Sequence, residues 1–67
     1  MSPVEVHATA NRIRGEFLEM PGLRLTIRQA ERLWQLEPSA CAHVIEMLVQ
    51  SAFLRRTPGG MVTRIDR

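Results

Sequence analysis

The order of the apolar and turn-forming segments between residues 23 and 64 constrains the fold of this chain most. Residues 23–25 alternate apolar and polar side chains, as a short half-buried strand does, and two helical patterns follow. Residues 53–56 and 61–64 then read as strands joined by the turn 57–60, where proline and glycine suit the turn backbone. This order predicts a mainly α, α+β domain with three helices and a small three-stranded antiparallel sheet.

The first helical segment is predicted over residues 9–20. Ile13, Phe17 and Met20 recur there at the spacing of one helical face, which predicts an inward apolar stripe. The proline–glycine pair at residues 21–22 ends the helix, because the residue before a proline disfavours the α conformation and glycine adopts positive φ freely.

The length of 67 residues suits one domain. Before the first helix, Val4 and Val6 alternate with polar residues, which is a faint strand signal. We therefore expect residues 1–8 to form an N-terminal arm and residues 9–67 to form a single domain.

The second helix is predicted to begin at Thr26 and to stop before Pro38. Thr26 and Gln29 have the spacing of a capping box, in which each side chain bonds the backbone N–H of the other residue. The inward face is predicted to consist of Ala30, Leu33 and Leu36.

The third helix is predicted over residues 39–52, with two possible N-caps. Ser39 is the better capping residue type, whereas Pro38 at the first helical position would make Glu37 the cap. Helical spacing predicts an inward stripe of Cys41, Val44, Ile45, Leu48 and Ala52.

The basic residues have a distinctive type and distribution. All nine are arginines, whose planar guanidinium groups suit phosphates and guanine edges. Residues 47–67 hold four arginines against one aspartate, a net charge of +3, whereas residues 1–22 have a net charge of −1. A positive C-terminal hairpin favours contact with an anionic partner such as nucleic acid.

These segments resemble the winged helix-turn-helix core of MarR-type and related small bacterial regulators. The positions that carry the resemblance are Leu25-Thr26, Ala30, Leu33, Pro38-Ser39, Leu48, Phe53-Leu54 and Arg55-Arg56. The resemblance implies duplex DNA binding by a small transcription regulator or accessory factor, with a homodimer on a two-fold site. Two family glycines have no counterpart: Trp34-Gln35 are expected to lengthen the second helix, and Ala52 follows the third.

The resemblance also implies where DNA would be contacted. The third helix would enter the major groove, and the hairpin arginines would contact phosphates. The nucleic-acid-binding positions are then Ser39, Ala40, Ala42, His43, Met47, Arg55, Arg56 and Arg64. Alanine and methionine offer little to base edges, and an outward Glu46 would be repelled by phosphates, so weak sequence discrimination is expected. An equally open interpretation of the hairpin arginines is a solvated edge that resists aggregation.

A different class of function remains open. A winged helix can serve as a protein-interaction module without contacting DNA. Its surface would be an apolar patch around Ile27, Trp34 and Met47, with Trp34 partly exposed.

The sequence carries no catalytic or metal-binding signature. It has no nucleophile–histidine–acid arrangement and no glycine-rich phosphate loop. Cys41 and His43 are two residues apart on a predicted helix and point to opposite sides, so they cannot hold one ion together. We expect a protein that is not an enzyme and that needs no cofactor or metal.

Compartment is indicated only indirectly. The chain has no apolar run long enough for a membrane span and no secretory pattern at its N-terminus. One cysteine cannot form an internal disulfide, which fits a reducing environment. The expected location is cytoplasmic, without membrane contact.

Overall fold

A computed structural model describes residues 2–65 of the chain. The elements, in chain order, are α1 (Pro3–Glu19), β1 (Arg24–Thr26), α2 (Ile27–Trp34), α3 (Pro38–Gln50), β2 (Leu54–Arg56) and β3 (Met61–Arg64). The expected fold class is confirmed: the described residues form three helices and one three-stranded antiparallel sheet, and the structure is mainly α.

The sheet has the order β1–β3–β2, with β3 antiparallel to both neighbours. Two strands begin one residue later than expected. The Leu23 N–H bonds the Met20 carbonyl at 2.9 Å, and the Phe53 N–H bonds the Leu48 carbonyl at 3.0 Å, so both groups belong to the preceding turns. In the hairpin turn Gly60 has φ 81°, which confirms that glycine supplies the positive φ.

Helix α1 begins at Pro3 rather than near Thr9, so the expected arm over residues 1–8 is wrong from residue 3 onward. Ser2 and Glu5 form a capping box: the Glu5 N–H donates to Ser2 Oγ at 3.3 Å and the Ser2 N–H donates to the Glu5 carboxylate at 2.9 Å. A proline at the first helical position has no N–H to leave unpaired. Met1 lies outside the described residues.

The longer α1 presents a longer apolar face to the core. Val6, Ala10, Ile13 and Phe17 are all buried, and they are spaced as one helical stripe. Met20 was expected to complete that stripe, but it lies beyond the last helical residue and is 49% exposed.

Helix α2 confirms the capping box and corrects the inward face. The Gln29 N–H donates to Thr26 Oγ1 at 3.1 Å, and the Thr26 N–H donates to Gln29 Oε1 at 2.9 Å. Ala30 is buried as expected, but Leu33 is 53% exposed and Trp34 is only 4% exposed. The Trp34 indole N–H donates to the Glu16 carboxylate, and its ring packs against Phe17 with the centroids 6.1 Å apart. Trp34 therefore joins α2 to α1.

Helix α3 begins at Pro38 with Glu37 as its N-cap, which decides between the two expected caps. The Glu37 side chain makes no capping hydrogen bond. Cys41, Val44, Ile45 and Leu48 are buried as expected. Ala52 is not part of this stripe, because the helix ends at Gln50 and Ala52 is exposed.

A non-glycine residue in the left-handed conformation follows both α2 and α3. Gln35 has φ 52° and Ala52 has φ 62°. In each case the following N–H reaches back to the last turn: Leu36 bonds the Glu31 carbonyl at 3.0 Å, as Phe53 bonds that of Leu48. Gln35 thus ends α2 instead of lengthening it.

Candidate nucleic-acid interface

The exposed face of α3 carries three of the five recognition positions inferred from the sequence. Ser39, Ala42 and His43 are exposed, and Gln50 continues the same side of the helix. Ser39 Oγ donates to the Glu37 carboxylate at 2.8 Å, so an acid stands at the N-terminal end of this face. The residues able to bond base edges here are few.

Ala40 and Met47 lie on the flank of α3 rather than on its exposed face. Both are half-buried. Ala40 lines a shallow groove of about 190 Å³ together with Val6 of α1, and Met47 packs against the core. Positions 40 and 47 are seven residues apart and share one side of a helix. Both side chains are therefore less exposed than those of Ser39, Ala42 and His43.

An ion pair joins α3 to the hairpin. Arg56 Nη2 on β2 donates to Glu46 Oε2 at 2.8 Å, and Gln50 Nε2 donates to the other carboxylate oxygen at 3.2 Å. The hydrogen bond from Arg56, followed by that from Gln50, lowers the pKa of the Glu46 carboxyl. The outward glutamate that would repel phosphate is therefore partly neutralised by the neighbouring arginine.

The strand register separates the three hairpin arginines. Arg56 lies opposite Val62, and Arg64 lies opposite Leu54, so both share the face of the sheet that covers the core. Arg55 lies opposite Thr63, on the other face. Arg55 and Arg56 therefore point to opposite faces, as adjacent residues of a strand do. The three residues do not form one phosphate-binding surface.

Arg64 belongs to a groove at the far end of α3. It is half-buried and lines a groove of about 480 Å³ with Arg14, Leu18 and Phe53. The Arg14 guanidinium carbon lies 5.4 Å from the centre of the Phe53 ring, a cation–π contact that fixes one wall. Arg64 therefore lies on the hairpin, as the sequence predicted, but in this groove and not beside the exposed face of α3.

The apolar patch expected for a protein-interaction module is not present as described. Trp34 is core, and Ile27 and Met47 are half-buried and packed against the core. The large apolar side chains that the structure leaves exposed are Val4, Leu18, Met20 and Leu33.

Five exposed arginines have no carboxylate partner within residues 2–65. They are Arg12, Arg24, Arg28, Arg32 and Arg55. In contrast, Glu5, Glu16, Glu37 and Glu46 each accept a hydrogen bond. Among these acids, only Glu46 is paired with an arginine in the described part of the chain.

The sequence analysis did not single out Arg24, Arg28 and Arg32, three of these five exposed arginines. Residues 23–46 have a net charge of zero, because three glutamates balance the three arginines. Glu37 and Glu46 are bonded to neighbouring side chains, which the charge sum does not show. Gln50 follows Glu46 by four residues on one helix, a spacing at which side chains meet, so the bond between them could have been predicted.

The candidate metal residues are spread apart. Cys41 is fully buried, and burial, followed by the negative charge of Glu31, raises the pKa of its thiol. His7 and His43 are exposed. Residues 2–65 contain no group of three or more histidine, cysteine or acidic side chains that could hold a metal ion.

The layout of helices and sheet is compatible with a winged helix. Comparison with protein-family models, with curated proteins and with solved structures found no match. Within residues 2–65, no helix has the length and apolar character needed to cross a membrane.

Proposed function

We propose that this protein is a small winged-helix protein of the cytoplasm that binds duplex DNA through the exposed face of α3 and Arg56. The role is that of a transcription regulator or accessory factor, and no enzymatic step is involved. The observation that carries the proposal is the position of Arg56, whose guanidinium lies beside α3, 2.8 Å from the Glu46 carboxylate. It makes the hairpin and α3 parts of one exposed surface, as a helix in the major groove flanked by a backbone contact requires.

The remaining charges support this proposal. Arginines on α1, α2 and two strands are exposed without a carboxylate partner in the described part of the chain. Such charges raise the local concentration of a polyanion and speed its encounter with the surface. They attract the duplex to the protein without reading sequence.

Sequence discrimination by this surface is weak. Gln50 has the donor and acceptor that can pair with adenine, but its amide nitrogen already donates to Glu46. Ala42 offers only a methyl group, and Ser39 is bonded to Glu37. His43 is the one further polar side chain on the exposed face that has no hydrogen bond within residues 2–65.

One copy of the protein covers only a short stretch of DNA. Its longest dimension is 31 Å, slightly less than the roughly 34–36 Å between half-sites one helical turn apart. A monomer therefore engages a single half-site weakly. A homodimer on a two-fold site is the form in which useful affinity is expected.

An NMR titration with random-sequence duplex DNA at low salt tests the proposal. We expect shifts of amide signals over residues 39–50 and at Arg56, and weaker binding of an Arg56→Gln variant. Arg12→Gln removes the same charge from α1 and should weaken binding less. Absence of shifts from α3 at low salt would overturn the proposal.

The protein-interaction alternative has a different surface from the one expected. Leu18 and Met20, which are about half exposed near the end of α1, would form its apolar centre. This alternative would be favoured if a protein partner shifted the amide signals of these residues and DNA did not shift those of α3.

A further inference from the structure

A second cationic surface lies on the sheet, on the side away from the core. Arg24 on β1 and Arg55 on β2 both lie opposite Thr63 on the central strand β3. Directly opposed residues of an antiparallel sheet project to the same face. Arg24, Thr63 and Arg55 therefore form one row across the sheet, which we call the outer sheet row.

The row lies on the side of the sheet opposite the core, and Thr63 at its centre is buried with only 6% of its surface exposed. The neighbouring row contains Leu25 and Val62, which are buried in the core, so the outer sheet row faces the opposite way. Arg24 and Arg55 are exposed. The Thr63 hydroxyl donates to the Leu23 carbonyl at 3.1 Å, so its proton is already used and the arginines supply the donors of this face.

The strand residues of this face do not balance its charge. The other strand residues that point outward are Thr26 and Met61, so no strand residue on this face is a carboxylate. Neither guanidinium has an ion-pair partner within residues 2–65. Two cations that share one face without an acid between them attract an anion.

The spacing suits a phosphate backbone. Adjacent strands are about 4.8 Å apart, so the Cα atoms of Arg24 and Arg55 are separated by roughly 10 Å across β3. Phosphates of one DNA strand advance by about 3.4 Å along the helix axis and also wind around it, so side chains held roughly 10 Å apart can reach neighbouring phosphates of one strand. Thr63 is buried between the two arginines, and both arginine side chains are exposed.

From this arrangement we infer that Arg24 and Arg55 bind the sugar–phosphate backbone of a nucleic acid on the outer sheet row. The inference rests on the proposed function and extends it to a second contact, on the face of the sheet opposite Arg56. Phosphate is favoured over an acidic peptide because the face has no apolar pocket to receive side chains, and arginine forks bond phosphate oxygens in pairs. Contact here is independent of base sequence.

The test is the salt dependence of duplex binding, measured by fluorescence anisotropy. Each lost phosphate contact should flatten the slope of log K against log salt by about 0.9, and the double variant Arg24→Gln/Arg55→Gln by roughly 1.8. Arg12→Gln removes one charge from α1, outside the row, and should flatten the slope by clearly less than Arg24→Gln or Arg55→Gln alone. A double variant with the slope of the Arg12→Gln control would overturn the inference.

Failure of the proposed function is recognised separately. If Arg56→Gln weakens duplex binding and the double variant does not, the α3 surface binds DNA and the outer sheet row does not. If no duplex binds, the α3 proposal fails. Titration with pyrophosphate then shows whether the outer sheet row binds phosphate. Shifts of the Arg24 and Arg55 Nε–H signals with pyrophosphate would support a phosphate site, whereas their absence, or tighter binding of polyglutamate, would overturn it.

Discussion

Ala52, after the end of α3, adopts a backbone conformation that is unfavourable for an alanine. Its φ of 62° is left-handed, where an L-residue is disfavoured by about 1–2 kcal/mol. Glycine removes this strain but loses more chain entropy on folding. We therefore expect Ala52→Gly to raise the free energy of unfolding by roughly 0.5–1 kcal/mol, measured by urea denaturation.

The same substitution elsewhere should have the opposite sign. Ala42 is exposed in the middle of α3, where glycine costs about 1 kcal/mol relative to alanine. If Ala42→Gly and Ala52→Gly destabilised the protein equally, the left-handed assignment of Ala52 would be contradicted.

Glu46 couples stability to pH through its bond with Arg56. Its pKa is lowered in the folded protein, so the ionised form binds its neighbours and the stabilisation is present above the ordinary pKa of a glutamate. This stabilisation is lost as the pH falls through the lowered value. Because both side chains are about half exposed, the loss is small.

Urea denaturation midpoints at neutral pH and at about pH 3 measure the pH dependence of the stabilisation by the Glu46–Arg56 bond. Glu46→Gln should show a smaller acid-induced loss of stability than the wild type. Glu19→Gln, which changes an exposed glutamate on α1, is the control. An equal acid response of the wild type and Glu46→Gln would contradict the coupling.

At the level of elements, the helix starts differ in how they are capped. Thr26 forms a full capping box for α2, and α3 starts at Glu37 without a side-chain cap bond. Thr26→Ala should therefore lower the free energy of unfolding by about 1 kcal/mol. Ser39→Ala, the control, should change it by less than about 0.5 kcal/mol because Ser39 is exposed and does not cap. Equal losses would contradict the assignment of Glu37 as the N-cap.

The contact between α1 and α2 depends on Trp34. Its ring is buried and its N–H donates to Glu16, so Trp34→Ala should cost about 3–5 kcal/mol in a domain this small, measured by thermal or urea unfolding. Leu33→Ala, one residue away on the exposed side, should cost much less. A folded Trp34→Ala variant of near wild-type stability would contradict the packing.

The elements that could be read from the sequence are those with local signals. The capping box at Thr26, the proline start of α3 and the glycine turn of the hairpin depend on neighbouring residues alone. Ser2 and Glu5 carry the same signal for α1, and the valines at positions 4 and 6 concealed it. The rotation of α2 could not be read, because Leu33 and Trp34 are both apolar and the choice depends on Glu16 and Phe17 of α1.

The candidate site was less predictable than the fold, because it depends on contacts between elements that are distant in sequence. Which arginines share a face depends on the pairing register, and Arg24 and Arg55 are 31 positions apart in sequence. The exposure of Ser39, Ala42 and His43 followed from helical spacing. The half-burial of Ala40 and Met47 depends on how α1 packs against α3.

At the level of the whole molecule, the exposed arginines are spread over α1, α2 and the sheet, and the glutamates are mostly bonded within the protein. A surface of this kind holds a polyanion by charge rather than by shape. Affinity for duplex DNA should therefore fall steeply with salt, by about 0.9 in log–log slope for each phosphate contacted.

The most direct test of the central claim is the affinity of Glu46→Gln for duplex DNA at low salt. This substitution removes a negative charge from the face of α3 and releases Arg56 to contact phosphate. Binding should strengthen roughly two- to fivefold over the wild type, whereas Glu19→Gln, with the same change of charge on α1, should have a smaller effect. Unchanged or weaker binding by Glu46→Gln would contradict the claim that α3 and Arg56 form the DNA-binding surface.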